Sequence, residues 1–411
     1  MVHKVLEPHL VPRVVHYFRD VDLCSSSCPE FVPEAFSSNC WVEDDCWPAR
    51  FLQRVALRFH HIWATYGVRE GERTIQGSKP AVCFSKFSAS DLIAVRDGGK
   101  DVNLAATRYA ITIPTSIAES AGAQHVAYLM QGRTYLHDGS VLPEQDIVDN
   151  QFRLVVLAEN SANQPSEWRW PYLKDYRRAT TRIVAKGLSC AAIPGLDITE
   201  KSMSGIGVVV PDVAAAREVQ YDLICLIDQG IVSEAHFEYV LVCDQLPECL
   251  YGLSDEEIGG ALSRATFDYK SCMTVAATVA AEALRDFSSR LANLESSTPR
   301  NEIRENGGCW LSFQDNTHPY VRALVAVGRV KVNKLGRYLA SLDELDPGRD
   351  LRERQQIARA LALQLEDEIG VTACYFSVLN SQSPDEHPFY AGRLGAGSYC
   401  ITDAKYSDDE D

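Results

Sequence analysis

Positive charge is scarce in this chain of 411 residues, in which 40 Lys and Arg residues stand against 56 Asp and Glu residues. The formal net charge of −16 opposes unspecific attraction to polyphosphate or to anionic lipid. We therefore expect neither bulk nucleic-acid binding nor a membrane-surface role. One basic run is a candidate local patch, for which a solvated helix face is the alternative, and it comprises Lys174, Arg177, Arg178, Arg182 and Lys186.

Long apolar runs are missing as well. No stretch approaches the roughly 20 uninterrupted apolar residues that a bilayer-spanning helix needs. The first residues lack the basic, apolar and small-residue order of a signal peptide. The sequence therefore predicts a cytoplasmic protein with no membrane segment. The 13 cysteines, an odd number in a long chain, favour reduced thiols over a disulfide framework.

One cysteine cluster has a spacing that could gather four thiolates on zinc, and it consists of Cys24, Cys28, Cys40 and Cys46. Zinc knuckles usually present tight Cys-x-x-Cys pairs, which this cluster lacks. Aromatic residues lie between and beside the cysteines and favour hydrophobic packing. We therefore expect no metal, and zinc remains the alternative.

Several catalytic motifs are absent. No Gly-Lys-Ser or Gly-Lys-Thr closes a glycine-rich turn, which excludes a P-loop nucleotide site. No Gly-x-Ser-x-Gly elbow and no His-Glu-x-x-His helix is present, which excludes the corresponding hydrolases. The Gly205-Ile206-Gly207 segment precedes its predicted strand, whereas the dinucleotide-binding fingerprint follows one.

What is present is an ordinary globular composition, 46% hydrophobic and 23% charged, long enough for two or more domains. Periodicity predicts short strands and few helices before residue 204, then a β-α-β rhythm, then long helices after about residue 250. We predict a domain over 1–204, a β-α-β extension of it over 205–250, a C-terminal α+β domain over 251–400 and an acidic tail over 401–411.

Particular elements follow from the same patterns. Residues 11–18 form an apolar, β-branched run typical of a buried strand, and residues 49–66 carry apolar residues at helical spacing. Residues 115–121 are predicted to be helical, with Thr115 or Ser116 capping the start and Glu119 reaching back. Gly122 should end that helix.

Five segments occur in one order: Val14-Val15-His16-Tyr17-Phe18, Val82-Cys83-Phe84-Ser85, Tyr109-Ala110-Ile111-Thr112-Ile113, Gly122-Ala123-Gln124-His125-Val126-Ala127-Tyr128 and Ser166-Glu167-Trp168-Arg169. This order resembles the AbiGi-type abortive-infection (phage resistance) proteins of bacteria. The resemblance covers roughly residues 10–247. The C-terminal part is a distinct companion domain to which the resemblance assigns no function.

Proteins of that type are in turn distantly similar to the ADP-ribosyltransferase fold of bacterial toxins. The resemblance implies an α+β chain whose N-terminal domain holds a split, mainly antiparallel sheet with helices, followed by a mixed, largely helical C-terminal domain. It assigns the early catalytic position to His16, or alternatively Arg13. The middle position falls to Ser85 or Tyr109, and the late position to Glu167.

The same resemblance implies NAD as the substrate. Cleavage of the nicotinamide–ribose bond develops positive charge on the ribose, which a fixed carboxylate such as Glu167 stabilises. His16 would bind a ribose or the amide of NAD, and Tyr17 or Tyr109 would stack on the nicotinamide ring. Arg13 and Arg169 complete the predicted cofactor-binding set.

Each of these residues also has a structural interpretation. His16 on an apolar strand is typical of a core histidine, and Ser85 of a local backbone hydrogen-bonder. Glu167 and Arg169 are two apart on a strand and should form a same-face pair. Pro165 occupies the place where the toxins often carry a second Glu or Gln, and Cys83 is expected to position Ser85.

Three functions remain as hypotheses. The first is an NAD-dependent ADP-ribosyltransferase of phage defence that modifies a protein or nucleic acid. The second is a non-catalytic antitoxin or sensor that binds a toxin, phage protein or other partner. The third is a metal-dependent nuclease built on Asp222, Asp228 and Asp244, although the first two are six apart on one predicted helix and so point to different faces.

Overall fold

A computed structural model describes residues 11–22, 25, 46–69, 71–99, 106–156, 166–179, 194–249, 252–300, 305–386, 388 and 390–391. The chain mixes helices with several β-sheets and is of the α+β class. Contacts divide it into two compact units. Unit 1 holds the described residues up to 219 and those of 233–268, and unit 2 holds those of 220–232 and those from 269 onward. The boundaries predicted at 204/205 and 250/251 stay predictions.

Short strands dominate unit 1. They are β1 Arg13–Tyr17, β2 Val21–Asp22, β3 Cys46–Trp47, β4 His61–Trp63, β5 Val68–Arg69, β6 Glu72–Arg73, β7 Ala81–Phe87, β8 Ala110–Pro114, β9 Gln124–His125, β10 Ala127–Met130, β11 Arg133–Tyr135, β12 Leu154–Val156, β13 Glu167–Pro171, β14 Gly195–Asp197, β15 Ile206–Val210 and β16 Phe237–Val242. The strand predicted over 11–18 is therefore confirmed as β1.

The helices that begin in unit 1 are α1 Ala49–Arg58, α2 Ala89–Arg96, α3 Thr115–Ser120, α4 Ile147–Asn150, α5 Val213–Asp228 and α6 Asp255–Ala265. At α3 the predicted cap is wrong, because Pro114 occupies the N-cap and Glu119 instead accepts a hydrogen bond from the Trp168 indole at 3.2 Å. Gly122 does follow the helix, and its φ of +103° explains why a glycine is needed there.

Seven strands form the main sheet of unit 1, in the order β16-β15-β8-β1-β7-β13-β9. All neighbours are antiparallel except β15 and β16, which are the parallel strands joined through α5. The apolar run of β8 is buried throughout, as expected for a central strand. One face of the sheet packs a core that includes Val15, Ala110, Val209 and Leu241. This order places β1, with His16, at the centre of the sheet.

Unit 2 contains a five-stranded antiparallel sheet in the order β18-β19-β17-β20-β21. Its elements are β17 Gly307–Phe313, β18 Val330–Val332, β19 Tyr338–Ser341, β20 Ala373–Leu379 and β21 Tyr390–Ala391, with helices α7 Ala277–Ser297, α8 Pro319–Ala326 and α9 Leu351–Ile369. The sequence patterns predicted mainly long helices after about residue 250. They missed β17, whose opening glycines pack directly against β20 and against Trp310.

Among the residues that the structure describes, no helix is long and apolar enough to span a membrane.

Candidate functional site

The register of the main sheet decides which predicted residues share a face. Val15 of β1 lies opposite Ser85 of β7, and Ser85 lies opposite Glu167 of β13. Directly paired residues point to the same side of a sheet, and successive residues alternate. Ser85 and Glu167 therefore share one face with Val15, while His16 points to the opposite face. The sheet separates the predicted early residue from the predicted late one.

His16 is held in one orientation by the neighbouring strand. Its Nδ1 lies 2.9 Å from the carbonyl oxygen of Cys83, and its ring makes edge-to-face contacts with Phe18 and Phe84, at centroid distances of 4.9 and 6.0 Å. A carbonyl oxygen only accepts, so Nδ1 carries the proton and Nε2 keeps its lone pair. Burial lowers the pKa of His16 to about 4, against a smaller opposing effect of the Cys83 hydrogen bond. The imidazole is neutral at pH 7.

A cavity of about 230 Å³ opens beside this imidazole. The β1–β7 pairing ends at Val15 and Ser85. Residues that follow Val15 line the cavity together with residues of α1 and β4. The lining residues are mostly apolar or aromatic: His16, Tyr17, Phe18, Arg19, Val21, Trp47, Leu52, Ala56, His61, Ile62, Trp63, Thr65, Ala81 and Cys83. The volume is below the roughly 300–1,000 Å³ of sites that enclose a whole drug-sized ligand, and it suits a single ring.

Two tryptophans are among the residues that line this cavity. Trp47 is 1% exposed and lies 6.0 Å from Trp63, centroid to centroid, in an edge-to-face arrangement. The two indoles thus contact each other edge to face, and both line the cavity. An aromatic contact of a ligand ring with either indole would contribute about 0.5–1.5 kcal/mol beyond area burial. His61, the second imidazole of the lining, bonds through Nδ1 to the carbonyl of Phe59 at 2.7 Å.

Sequence reasoning missed this part of the cavity lining because it extended the first helix to residue 66. The helix α1 ends at Arg58, and His60 adopts a φ of +51°, which breaks the helix and starts β4. The signal available in the sequence was the short His61-Ile62-Trp63 run, in which Trp63 reads as a strand residue once the helix is ended earlier.

Glu167 is engaged in an ion pair. Its Oε1 lies 2.8 Å from Nε of Arg169, and the two side chains are 24% and 6% exposed. Arg169 also donates through Nη1 to the carbonyl of Phe152 at 2.9 Å. The predicted same-face pair is thus present. Glu167 and Ser85 are not among the residues that line the cavity.

Arg13 has a role in holding strands together. It is 4% exposed, donates to Thr112 Oγ1 at 3.2 Å and pairs with Glu238 at 2.8 Å. Its guanidinium also lies 5.1 Å from the centroid of the Tyr239 ring. These contacts join β1, β8 and β16 on the face opposite His16, so the structure gives Arg13 partners remote from the cavity.

The two predicted stacking tyrosines are placed differently. Tyr17 lines the cavity, but its ring packs against the core that contains Val15, and burial followed by the charge of Asp91 raises the pKa of its hydroxyl. Tyr109 precedes β8 and is not in the lining, and burial raises its pKa. Of the described aromatic residues, Trp47 and Trp63 are the ones better placed to stack on a ligand.

Cys83 contributes its backbone to the site. Burial, followed by the charge of Glu167, raises the pKa of its thiol to about 12. A protonated, buried thiol is a poor nucleophile. The carbonyl of Cys83 instead orients His16, which differs from the expected role of positioning Ser85.

The described residues contain no group of three or more His, Cys, Asp or Glu side chains suited to a metal ion. Asp228 is bound by Arg322 at 2.5 and 3.1 Å and by the Tyr338 hydroxyl at 2.7 Å. Asp244 pairs with Arg108. Cys24, Cys28 and Cys40 of the zinc alternative lie outside the described residues, as do Arg182 and Lys186 of the basic run.

Comparison with known proteins finds a family model that matches part of the chain. Residues 276–398 match the model of a family described as "Protein of unknown function (DUF4427)". This region includes none of the residues that line the cavity. No curated protein and no solved structure matches the chain. The resemblance to abortive-infection proteins and to ADP-ribosyltransferases stays a prediction.

Proposed function

We propose that unit 1 is a binding or sensing module that accepts the planar ring of a small ligand in the cavity beside His16. The observation that carries this proposal is the cavity itself, in which an oriented, neutral imidazole lies among aromatic and aliphatic side chains. Few polar groups fixed in an otherwise apolar cavity are typical of ligand sites. The nicotinamide ring of NAD, implied by the resemblance, is the first ligand to test.

Binding without transfer is the interpretation that the geometry favours. A transferase of the predicted type needs His16 and Glu167 to act on one bound NAD molecule. Here they point to opposite faces of the sheet, and the carboxylate of Glu167 is paired with a buried arginine. Stabilising a cationic ribose with Glu167 would first require that pair to open.

A cavity-filling substitution tests the binding proposal. Ala56 of α1 lines the cavity and is 4% exposed, so Ala56→Met should place three further heavy atoms in the space that the ring needs. Ala214 lies exposed near the start of α5, and Ala214→Met is the matched control. A ligand at 100 times its Kd stabilises the folded state by about 2.7 kcal/mol.

We expect nicotinamide or NAD to raise the Tm of the wild type and of Ala214→Met, and to leave Ala56→Met unshifted. Equal shifts in all three proteins, or no shift in any, would contradict the proposal. Incubation with isotope-labelled NAD and a cell lysate tests the alternative. Label transferred to an acceptor by the wild type and abolished by Glu167→Gln would establish the transferase instead.

The role in phage defence is a separate proposal that rests on the resemblance. If the cavity serves as a sensor for defence, cells that express Ala56→Met should lose protection against phage in a plaque assay, while Ala214→Met cells keep it. Loss of protection with Glu167→Gln and retention with Ala56→Met would favour catalysis over sensing.

A further inference from the structure

A ligand in the cavity meets a polar group whose orientation and protonation are fixed, the imidazole of His16. Nδ1 of His16 is committed to the carbonyl of Cys83 at 2.9 Å. For Nε2 the described residues supply no hydrogen-bond partner. In the neutral imidazole this nitrogen is an acceptor and cannot donate.

Resting on the proposed function, we infer that His16 selects an uncharged planar ligand whose ring edge carries an N–H donor, such as a carboxamide. An N–H group can donate to Nε2, whereas a carboxylate brings only lone pairs and a negative charge. Burying that charge among Phe18, Leu52 and Ile62 carries a desolvation cost with no donor from His16 to offset it. Arg19 also lines the cavity, but it is exposed, and an exposed ion pair contributes only about 0–1 kcal/mol. A ketone of the same shape brings no charge, but it leaves the imidazole nitrogen unbonded.

The low pKa of His16, about 4, supports this direction of recognition. At pH 7 the ring has no second N–H with which to bind an anion. His61 lines the same cavity and also gives its Nδ1 to a backbone carbonyl, that of Phe59, so its Nδ1 is likewise committed as a donor to the backbone. The carboxamide of nicotinamide carries the N–H donor that His16 can accept from, whereas the carboxylate of nicotinate carries none.

Three ligands of nearly equal shape separate the effect of the N–H donor from the effect of the negative charge. Benzamide carries the N–H donor, acetophenone replaces its amino group with methyl, and benzoate replaces it with a charged oxygen. Their affinities for the full-length wild type can be measured at pH 7 by saturation-transfer NMR titration. We expect benzamide to bind at least about tenfold more tightly than acetophenone or benzoate, because it alone can donate a hydrogen bond to Nε2 of His16.

A histidine variant and a matched control complete the experiment. His16→Phe should remove the preference for benzamide over acetophenone. His236 makes the same kind of bond, from Nε2 to the carbonyl of Ile198 at 2.7 Å, and does not line the cavity, so His236→Phe should keep the preference.

The outcomes distinguish this inference from the proposed function. If acetophenone or benzoate binds as tightly as benzamide, the cavity binds rings but His16 does not select the N–H donor, and the inference is wrong. If none of the three ligands binds the wild type, the proposed function fails together with the inference. The ligand comparison needs only the wild type, so it stands even if His16→Phe does not fold.

Discussion

The ion pair between Glu167 and Arg169 leads to a stability prediction that separates a structural role for Glu167 from a catalytic one. Breaking a fully buried pair costs about 3–5 kcal/mol, and an exposed pair contributes about 0–1 kcal/mol. Here the side chain of Arg169 is 6% exposed and that of Glu167 is 24% exposed. We therefore expect Glu167→Gln to lower the free energy of unfolding by about 2 kcal/mol. Arg169→Met should cost more, about 3 kcal/mol, because the carbonyl of Phe152 also loses its donor.

A double-mutant cycle isolates the pair from these other losses. Urea unfolding followed by tryptophan fluorescence reports mainly on unit 1, which holds every described tryptophan except Trp310. The coupling energy between Glu167→Gln and Arg169→Met should be about 1–2 kcal/mol. A coupling below about 0.5 kcal/mol, together with full stability of Glu167→Gln, would refute the structural assignment and return Glu167 to the list of candidate catalytic groups.

Three further predictions concern other parts of the chain. The pKa of His16 falls from 6.5 in the unfolded chain to about 4 in the folded one, so between these pH values the unfolded state binds more protons. The free energy of unfolding should therefore decrease as the pH falls from about 6.5 to about 4, by up to about 3 kcal/mol. Urea unfolding measured over this pH range should show the loss in the wild type and not in His16→Gln. A Cβ on Gly207 would lie 2.2 Å from the ring of Tyr239, so Gly207→Ala should lower the free energy of unfolding by about 1–3 kcal/mol. The urea concentration at the midpoint of unfolding should fall accordingly, and an unchanged midpoint would refute this contact. Arg322→Leu leaves the buried carboxylate of Asp228 without its main partner and should destabilise unit 2 by about 3–5 kcal/mol, measured as calorimetric Tm loss; a neutral effect would contradict the pairing.

Local patterns predicted much of the framework of unit 1. The β-branched run of β1, the buried run of β8 and the strand–helix–strand order of β15, α5 and β16 follow from residue type and period alone. The Glu167–Arg169 pair also follows, because residues two apart on a strand share a face.

The site itself depended on facts that no local pattern contains. Whether His16 and Glu167 share a face is set by the register of β1 on β7 and of β7 on β13, and register depends on long-range pairing. The cavity wall depended on where α1 ends, which the left-handed backbone of His60 decides. Helix periodicity alone continued past that point and hid the strand that presents Trp63.

The central claim is that a ligand ring occupies the cavity beside His16. A crystal structure of the full chain with nicotinamide tests it most directly. We predict electron density for the ring among Trp47, Trp63 and Phe18, with the carboxamide nitrogen within hydrogen-bond distance of His16 Nε2. Density on the opposite face of the sheet, beside Glu167 and Ser85, with the cavity empty, would contradict the claim.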